Sequence, residues 1–292
     1  MNTACNQRCL FCSARGRGDS PELRGILREI ERMAAAGDGL LVISGGETTL
    51  SPDLKRIVTF ARRKGLKVEL QTNALTSAYP RKAAWLAALG ADLFNINFPS
   101  HKSAVNDRIT GTKGTFSLRA AGVKNLLKAG AAVRLTHIVS SLNFRGLPAF
   151  ARYAAKNFPG VKYIQFSYLK GLGGALENSW LLPAYTLASP FLVKALELCG
   201  KSGIEAVVDH IPPCFLGRFY GRHIDFIKCA NGSDTSLSRQ EKRRLPGCRG
   251  CALRTRCFGP RKEHAVMLGA VLVRPVKKTA LHAAWPPDGQ RP

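Results

Sequence analysis

The stretch that decides the fold is LKVELQTNALTSAYPRKAAWLAALGADLFNINFPS, residues 66–100. Two short and nearly continuously apolar runs, Lys67–Thr72 and Leu93–Phe98, flank a segment with helical spacing that ends at Gly90. Apolar runs of this length are typical of parallel strands that are covered on both faces. A strand, a helix and a second strand at this spacing predict a right-handed βαβ crossover and a parallel sheet.

The same unit recurs through the first 210 residues, which places the chain in the α/β class. Further strands are predicted at Leu40–Ser44, Val133–Val139, Tyr163–Tyr168 and Ile204–Asp209. Helices are predicted to begin at Ser-Pro pairs, with Ser20 and Ser51 as N-caps and Pro21 and Pro52 in the first turn, and to end at Gly37, Gly65, Gly90 and Gly130. A doubly wound sheet and a β/α barrel both fit this pattern, and both place chemistry at the carboxyl ends of the strands.

Composition limits the cellular setting and the partners. The 292 residues are 45% hydrophobic, which is enough for one large domain and a small appendage. No run of about 18 apolar residues and no export signal is visible, so we expect a cytoplasmic protein with no membrane span. The net charge of +25 suits an anionic partner. RNA is nevertheless not favoured, because the basic residues are scattered and no stacking aromatic residues are interleaved with them.

The segment CNQRCLFC, residues 5–12, places three cysteines in the spacing C-x3-C-x2-C. A structural zinc site and an iron–sulfur cube each take four ligands. No fourth cysteine or histidine lies nearby, the next histidine being His101. Three cysteines around a cube leave one iron open, and an open metal position is where a substrate or cofactor binds.

This motif resembles the signature of the radical S-adenosylmethionine (radical SAM) superfamily. Segments similar to other family motifs follow in order, each near the end of a predicted strand: SGGETTL at 44–50, QTNA at 71–74 and NINFPS at 95–100. The resemblance runs from Cys5 to about Asp209 and implies a partial (β/α)6 TIM-type barrel. The family usually has a strand before the cluster loop, so the first strand is expected to be truncated here. Thr48 and Ala74 stand where the family often has proline and glycine.

The resemblance also implies a reaction. Cys5, Cys9 and Cys12 would hold a [4Fe–4S] cluster whose open iron binds the methionine end of SAM. An electron, supplied by a donor such as flavodoxin or ferredoxin, would cleave SAM to a 5′-deoxyadenosyl radical. That radical would abstract hydrogen from a peptide or a small biosynthetic intermediate. The implied SAM contacts are Phe11, Gly45, Gly46, Glu47, Thr72, Asn73 and Asn97.

A second group of cysteines lies after residue 210, in a turn-rich and basic segment. Cys248, Cys251 and Cys257 resemble the auxiliary-cluster extensions of the SPASM or twitch type that follow many radical SAM barrels. Cys214 is the favoured fourth ligand because the preceding IPP fixes a rigid turn directly after the last strand, and Cys229 is the alternative. A second [4Fe–4S] cluster is expected, with zinc as the alternative metal.

Three domains follow from these patterns. Residues 1–210 form the barrel, 211–270 the cysteine-rich C-terminal extension, and 271–292 a tail. Cys199 lies on the apolar face of a helix and is expected to be buried. Two other functions remain open. One is a radical SAM enzyme that modifies RNA, and the other is a non-catalytic iron–sulfur or zinc protein that binds nucleic acid. The latter leaves the GGE and TN segments unexplained.

Overall fold

The computed structural model describes residues 4–14, 21–269 and 272–280 and contains one parallel sheet of six strands. Each strand pairs with its successor in the chain, and within the described residues the first and last strands do not pair with each other. The strands are β1 Leu40–Ile43, β2 Lys67–Thr72, β3 Leu93–Asn97, β4 Val133–Val139, β5 Tyr163–Tyr168 and β6 Ala206–Asp209. This order confirms the predicted α/β class and is the open sheet of a partial barrel.

Helices connect the strands and cover one face of the sheet. In the barrel they are α1 Leu23–Ala35, α2 Leu54–Arg63, α3 Pro80–Ala88, α4 Ser103–Thr110, α5 Thr115–Lys128, α6 Leu147–Asn157, α7 Gly174–Glu177 and α8 Tyr185–Lys201. After β6 follow α9 Ile224–Ala230, α10 Ser236–Glu241 and α11 Lys262–Leu268. Short 3-10 turns occur at Thr48–Leu50, Thr76–Ala78, Phe144–Gly146, Ser179–Leu181, Pro213–Phe215, Gly217–Arg222, Pro246–Cys248 and Lys278–Ala280.

The two faces of the sheet carry different side chains because successive residues of a strand point to opposite sides. His137 and Phe166 pack against Phe150 of α6, which identifies the helix-covered face. The other face carries an inner polar row, which we define as Glu69, Asn95, Arg134, Gln165 and Asp209. Its members are joined across β2 to β6 by hydrogen bonds of 3.0 Å (Asn95 to Glu69), 2.7 Å (Arg134 to Glu69), 2.5 Å (Arg134 to Gln165) and 2.8 Å (Gln165 to Asp209).

The predicted strands are correct to within two residues, but two predicted helix starts are wrong. Helix α1 begins at Leu23 with Glu22 as the N-cap, so Pro21 is not in its first turn, and Ser20 lies outside the described residues. Helix α2 begins at Leu54 after Asp53, because Ser51 ends the preceding 3-10 turn instead of capping the helix. The predicted stops are confirmed, since these glycines have positive φ angles: Gly37, Gly65, Gly90 and Gly130.

The segment after β6 packs on the barrel through both apolar and polar contacts. His264 of α11 is fully buried, donates from Nε2 to the Leu169 carbonyl at 2.7 Å and contacts the Tyr185 hydroxyl of α8 through Nδ1. Within the segment, Lys242 and Asp225 form a buried ion pair at 2.5 Å. Cys199 is 1% exposed in α8, as predicted. Among the described residues no helix has the length and apolar character needed to cross a membrane.

Candidate functional site at the carboxyl edge of the sheet

The loop that carries the first three cysteines is fixed by backbone hydrogen bonds to the end of α4. The amides of Arg8 and Leu10 donate to the carbonyls of Thr110 and Ile109, each at 2.9 Å. Gly111 follows α4 with a φ of 61°, and a Cβ atom there would lie 2.7 Å from the Arg8 carbonyl oxygen. Only glycine combines this backbone conformation with such a close approach.

The other side of the loop rests on the segment after β5. Gly174 donates its amide to the Cys12 carbonyl at 2.9 Å, and Asn178 Nδ2 donates to the Leu10 carbonyl at 3.3 Å. A Cβ atom at Gly173 or Gly174 would lie 2.5 Å or 2.6 Å from these same carbonyl oxygens. Sequence reasoning missed this support, although the glycine pair after a predicted strand was a visible signal of close backbone approach.

A buried arginine of α5 joins the loop to the sheet. Arg119 is fully buried and donates to Gln7 Oε1 at 2.6 Å, to the Asn73 carbonyl at 3.2 Å and to Asn106 Oδ1 of α4. Burial lowers the pKa of Arg119 to about 10, while the nearby Cys9 and Glu47 oppose this shift. Sequence reasoning also missed Arg119, since a single basic residue in a helix usually lies on the surface.

Glu47 connects the GGE segment to the end of β2. It is 1% exposed, and its Oε1 accepts hydrogen bonds from the Thr49 amide at 3.1 Å and from the hydroxyls of Thr49 and Thr72, both at 2.6 Å. Its Oε2 accepts from the Asn73 amide at 2.7 Å. Each oxygen of a carboxylate has about two acceptor positions, so the position left open on Glu47 is on Oε2, which accepts one hydrogen bond.

The TN segment binds the cysteine loop directly. Asn73 Nδ2 donates to Asn6 Oδ1 at 2.7 Å, and Ala74 takes a φ of 63°, the left-handed conformation that favours glycine. Thr48, the second departure from the family pattern, donates its hydroxyl to the Gln71 carbonyl at 2.6 Å. The structure therefore brings the cysteine loop, the GGE segment and the TN segment together at the carboxyl edge of the sheet.

The remaining residues predicted to contact SAM take different positions around this edge. Asn97 at the end of β3 is half-buried, and its Oδ1 is a buried atom with no hydrogen-bond partner among the described residues. Such an orphaned acceptor fits a missing ligand. Phe11 is 7% exposed and packs in the hydrophobic core. Gly45 and Gly46 are half-buried between β1 and Glu47.

The thiols of the loop influence one another. Burial raises the pKa of Cys9 to about 12, Arg119 opposes this shift, and the neighbouring Cys12 and Cys5 add to it. Burial also raises the pKa of Cys5, to which Glu47 and Cys12 contribute. Thiolates bind metals, so a bound metal cation would supply the missing opposite charge. Within residues 4–14, 21–269 and 272–280, no three cysteine, histidine or acidic side chains are already arranged as metal ligands.

The second group of cysteines surrounds one small cavity after β6. Its lining includes Cys214, Cys248, Cys251 and Cys257. Cys229 does not line this cavity. Burial raises the pKa of Cys214 to about 11 and of Cys257 to about 12, and neighbouring thiols of the same group add to both shifts.

Backbone amides and arginines complete the cavity. The amides of Val276 and Gly259 point at Cys251 Sγ (3.3 Å) and Cys257 Sγ (3.4 Å), the arrangement that stabilises thiolate sulfur. Arg244, Arg254 and Arg274 also line it. Residues 273–276 thus contact the extension although the sequence predicted a tail from 271, and 281–292 lie outside the described residues.

Comparison with known proteins gives the same picture for the barrel. A family model described as "Radical SAM superfamily" matches residues 1–148, half of the chain. Such a match implies a [4Fe–4S] cluster and SAM as cofactors. The three thiols of the loop and the orphaned Asn97 oxygen are a donor set that fits both.

Three curated relatives align with parts of the chain. Fe-coproporphyrin III synthase of Methanosarcina barkeri is 27% identical over 61% of this chain and 45% of its own length. Mycofactocin maturase MftC of Mycobacterium tuberculosis is 32% identical over 53% and 40%. PqqA peptide cyclase of Gluconobacter oxydans is 28% identical over 53% and 43%. The chain therefore spans less than half the length of these relatives.

Among solved structures, SuiB of Streptococcus suis bound to S-adenosylmethionine superimposes with a TM-score of 0.62. The match covers 91% of this chain and 72% of SuiB at 14% sequence identity. At that identity the likeness shows the fold alone, and it agrees with the partial barrel described above.

Proposed function

Because this chain belongs to the radical SAM superfamily, we propose that it is an enzyme that cleaves SAM reductively and abstracts hydrogen from a peptide substrate. The observation that carries this proposal is the direct attachment of the three-cysteine loop to the two neighbouring motifs. Asn73 of the TN segment bonds to Asn6 of the loop, and Glu47 of the GGE segment bonds to Asn73. A simple metal-binding loop has no need of this connection.

We assign Cys5, Cys9 and Cys12 as the ligands of the first cluster. When bound, that cluster would supply the one electron that cleaves SAM reductively. Arg119 and Gly111 hold the loop in place for the ligands. Asn97 has a buried, unused acceptor that we assign to SAM, and Glu47 offers the remaining acceptor position of Oε2 to the methionine ammonium. We also assign SAM contacts to Phe11, Gly45, Gly46, Thr72 and Asn73.

A second [4Fe–4S] cluster held by Cys214, Cys248, Cys251 and Cys257 is part of the proposal. The shared cavity and the two amide-to-sulfur contacts support it, and three arginines around the cavity favour an anionic cluster. Metal analysis after anaerobic reconstitution should give about eight iron per chain for two cubes. Cys214→Ala should lose about half of this iron, whereas Cys229→Ala, the matched control, should keep it. About four iron and one zinc per chain would show that the second site holds zinc instead of a cluster.

A peptide is the proposed substrate because the relatives include a peptide cyclase and a maturase. The similarity to Fe-coproporphyrin III synthase supports the alternative substrate class, a small biosynthetic intermediate. A protein such as flavodoxin or ferredoxin is the proposed electron donor. Since the chain covers less than half of these relatives, the substrate class and the electron donor are proposals.

The deciding experiment follows hydrogen transfer. The reconstituted protein is incubated with SAM, dithionite and peptides that carry deuterium at their carbon positions, and 5′-deoxyadenosine is analysed by mass spectrometry. The candidate peptides are those encoded beside this gene. Deuterium in 5′-deoxyadenosine is the expected result. Its absence with all peptides, together with transfer from a deuterated porphyrin precursor, would move the substrate to the small-molecule class.

A further inference from the structure

The last strand of the sheet ends in a carboxylate that the proposed chemistry does not use. Asp209 is the final residue of β6 and lies at the same carboxyl edge as the cysteine loop. It is 9% exposed and forms the end of the inner polar row, where Gln165 Nε2 donates to its Oδ2 at 2.8 Å. The side chain therefore faces the inside of the partial barrel, opposite to the helix-covered face.

The two oxygens of this carboxylate have unequal surroundings. Oδ2 accepts from Gln165 and also lies 3.1 Å from His210 Nε2. Oδ1 is a buried atom with no hydrogen-bond partner among the described residues. Buried carboxylate oxygens are normally bonded, because an unsatisfied acceptor loses its water without compensation. An oxygen left open beside a fully occupied one indicates a position for a ligand that donates a hydrogen bond.

His210 holds the carboxylate in this orientation. Its Nδ1 lies 3.4 Å from Arg261 Nη1, which is always a donor, so Nδ1 is the acceptor and Nε2 carries the proton that faces Asp209. Arg261 is itself fixed by ion pairs to Glu241 at 2.6 Å and to Glu263. His210 has a φ of 65°, a strained conformation for a residue other than glycine. Such strain persists where the surroundings fix the residue, often at a binding site.

The charges around Asp209 are mostly positive. Burial raises the pKa of Asp209, and the Ser167 hydroxyl, the positive charges of Lys170 and Lys242 and the Gln165 amide act in the opposite direction. Burial, together with Lys170 and Arg261, lowers the pKa of His210 well below its usual range, so this histidine is neutral. A neutral imidazole donating from Nε2 agrees with the hydrogen-bond pattern.

We propose that Asp209 is a substrate-binding residue whose Oδ1 accepts a hydrogen bond from an N–H or O–H group of the peptide. The inference rests on the proposed function and adds to it a contact that orients the peptide. The contact places the peptide at the edge of the sheet where the cysteine loop also lies. Through His210 and Arg261 the same carboxylate is connected to the cysteine-rich extension.

Asp209→Asn is a sharp test because it preserves the shape of the side chain. Gln165 and His210 both donate to the position of Oδ2, so the single acceptor oxygen of asparagine must occupy that position. The amide NH2 then takes the place of Oδ1 and presents a donor to the donor of the peptide. If Asp209 had only a structural role, asparagine would keep both internal hydrogen bonds and the affinity for the peptide would be unchanged.

The experiment uses the reconstituted full chain with SAM and a pool of short synthetic peptides of random sequence. Peptides retained by the wild type are sequenced, and their dissociation constants are measured with wild type, Asp209→Asn and the control Asp92→Asn. Asp92 is an exposed carboxylate at the opposite end of β3. We expect a loss of affinity of about tenfold or more for Asp209→Asn, ~1.4 kcal/mol or more, and none for the control. N-methylation of the one peptide donor should cause the same loss in wild type and none in the variant.

Three results would overturn the inference. Equal affinity of wild type and Asp209→Asn shows that Asp209 does not touch the peptide, while the proposed function stands. A loss of SAM affinity with unchanged peptide affinity assigns Oδ1 to the cofactor instead. Retention of no peptide removes the proposed substrate class, and the inference falls with it. If Asp209→Asn does not fold, Asp209→Ser, which removes the carboxylate without adding volume, is read in the same way.

Discussion

Substitution of Arg119 tests whether one buried side chain holds the cysteine loop on the barrel. In Arg119→Met three acceptors lose their donor at once: Gln7 Oε1, the Asn73 carbonyl and Asn106 Oδ1. Each buried acceptor left unsatisfied costs about 1–3 kcal/mol, and removal of the buried guanidinium returns part of this through its own desolvation. We therefore expect the free energy of unfolding to fall by about 3–5 kcal/mol, the range for breaking a buried charged network.

The assay is urea unfolding of the metal-free protein, followed by iron analysis after anaerobic reconstitution. Arg62→Met is the matched control, since Arg62 forms an exposed ion pair with Asp92 that should contribute less than about 1 kcal/mol. Arg119→Met should also bind less iron at the first site, because Gln7 lies between Cys5 and Cys9 and loses one of its two buried side-chain hydrogen bonds. Gln7→Met should cost less in the Arg119→Met background than in wild type, since the bond between Gln7 and Arg119 is already absent there and only the bond from Gln7 Nε2 to Thr115 Oγ1 is left to lose.

The reasoning would be refuted by one combination of results. If Arg119→Met unfolds within about 1 kcal/mol of wild type and binds the same amount of iron, Arg119 does not hold the loop. A loss of stability with normal iron binding would confine its role to the packing of α5.

Three further predictions concern stability, and urea or thermal unfolding measures each. Gly122→Ala should cost about 3 kcal/mol because its Cβ would lie 2.0 Å from the Ala74 carbonyl; Gly200→Ala, in open space within α8, should be neutral or stabilising, and equal losses would contradict the steric argument. Ala74→Gly should stabilise by about 0.5–1 kcal/mol by relieving the left-handed φ of 63°, whereas a net loss would show that no strain is stored there. Lys242→Met should cost about 3–5 kcal/mol at neutral pH. Burial raises the pKa of Asp225, but His223 and Lys242 bring that pKa below the ordinary 3.8. The difference in unfolding free energy between wild type and Lys242→Met should therefore vanish as pH falls through and below 3.8. A pH-independent difference would exclude the ion pair as its cause.

The sequence predicted the parts of the fold that local pattern determines. The bounds of β2, β4 and β5 agree with the structure because continuous apolar runs between turn residues leave little choice of boundary. The start of α2 was wrong because Ser51 belongs to a turn that the Glu47 carboxylate caps, a use of the Ser-Pro pair that depends on a neighbouring motif. Helix stops at glycine were correct because the left-handed conformation is a property of the residue itself.

The candidate site was predictable as motifs and not as a network. The cysteine loop was predicted from the spacing of its cysteines, and the GGE and TN segments from their positions at the ends of strands. Arg119 and the Gly173–Gly174 pair were missed because their partners, Gln7 and Cys12, lie more than a hundred residues away in the chain. Asp209 gave no signal either, since an acidic residue at the end of a strand becomes unusual only when one of its oxygens is seen to be buried and unpaired. The choice of Cys214 over Cys229 remains a proposal that the shared cavity supports.

The most direct test of the central claim is the formation of 5′-deoxyadenosine from SAM by the anaerobically reconstituted, dithionite-reduced protein, measured by mass spectrometry for wild type, Cys9→Ala and Cys229→Ala. The account predicts product from wild type and from Cys229→Ala, and none from Cys9→Ala. Of the two substituted cysteines, Cys9 belongs to the loop that is joined to the GGE and TN segments and Cys229 does not. Product from Cys9→Ala at the level of wild type would contradict the assignment of this loop as the site of SAM cleavage.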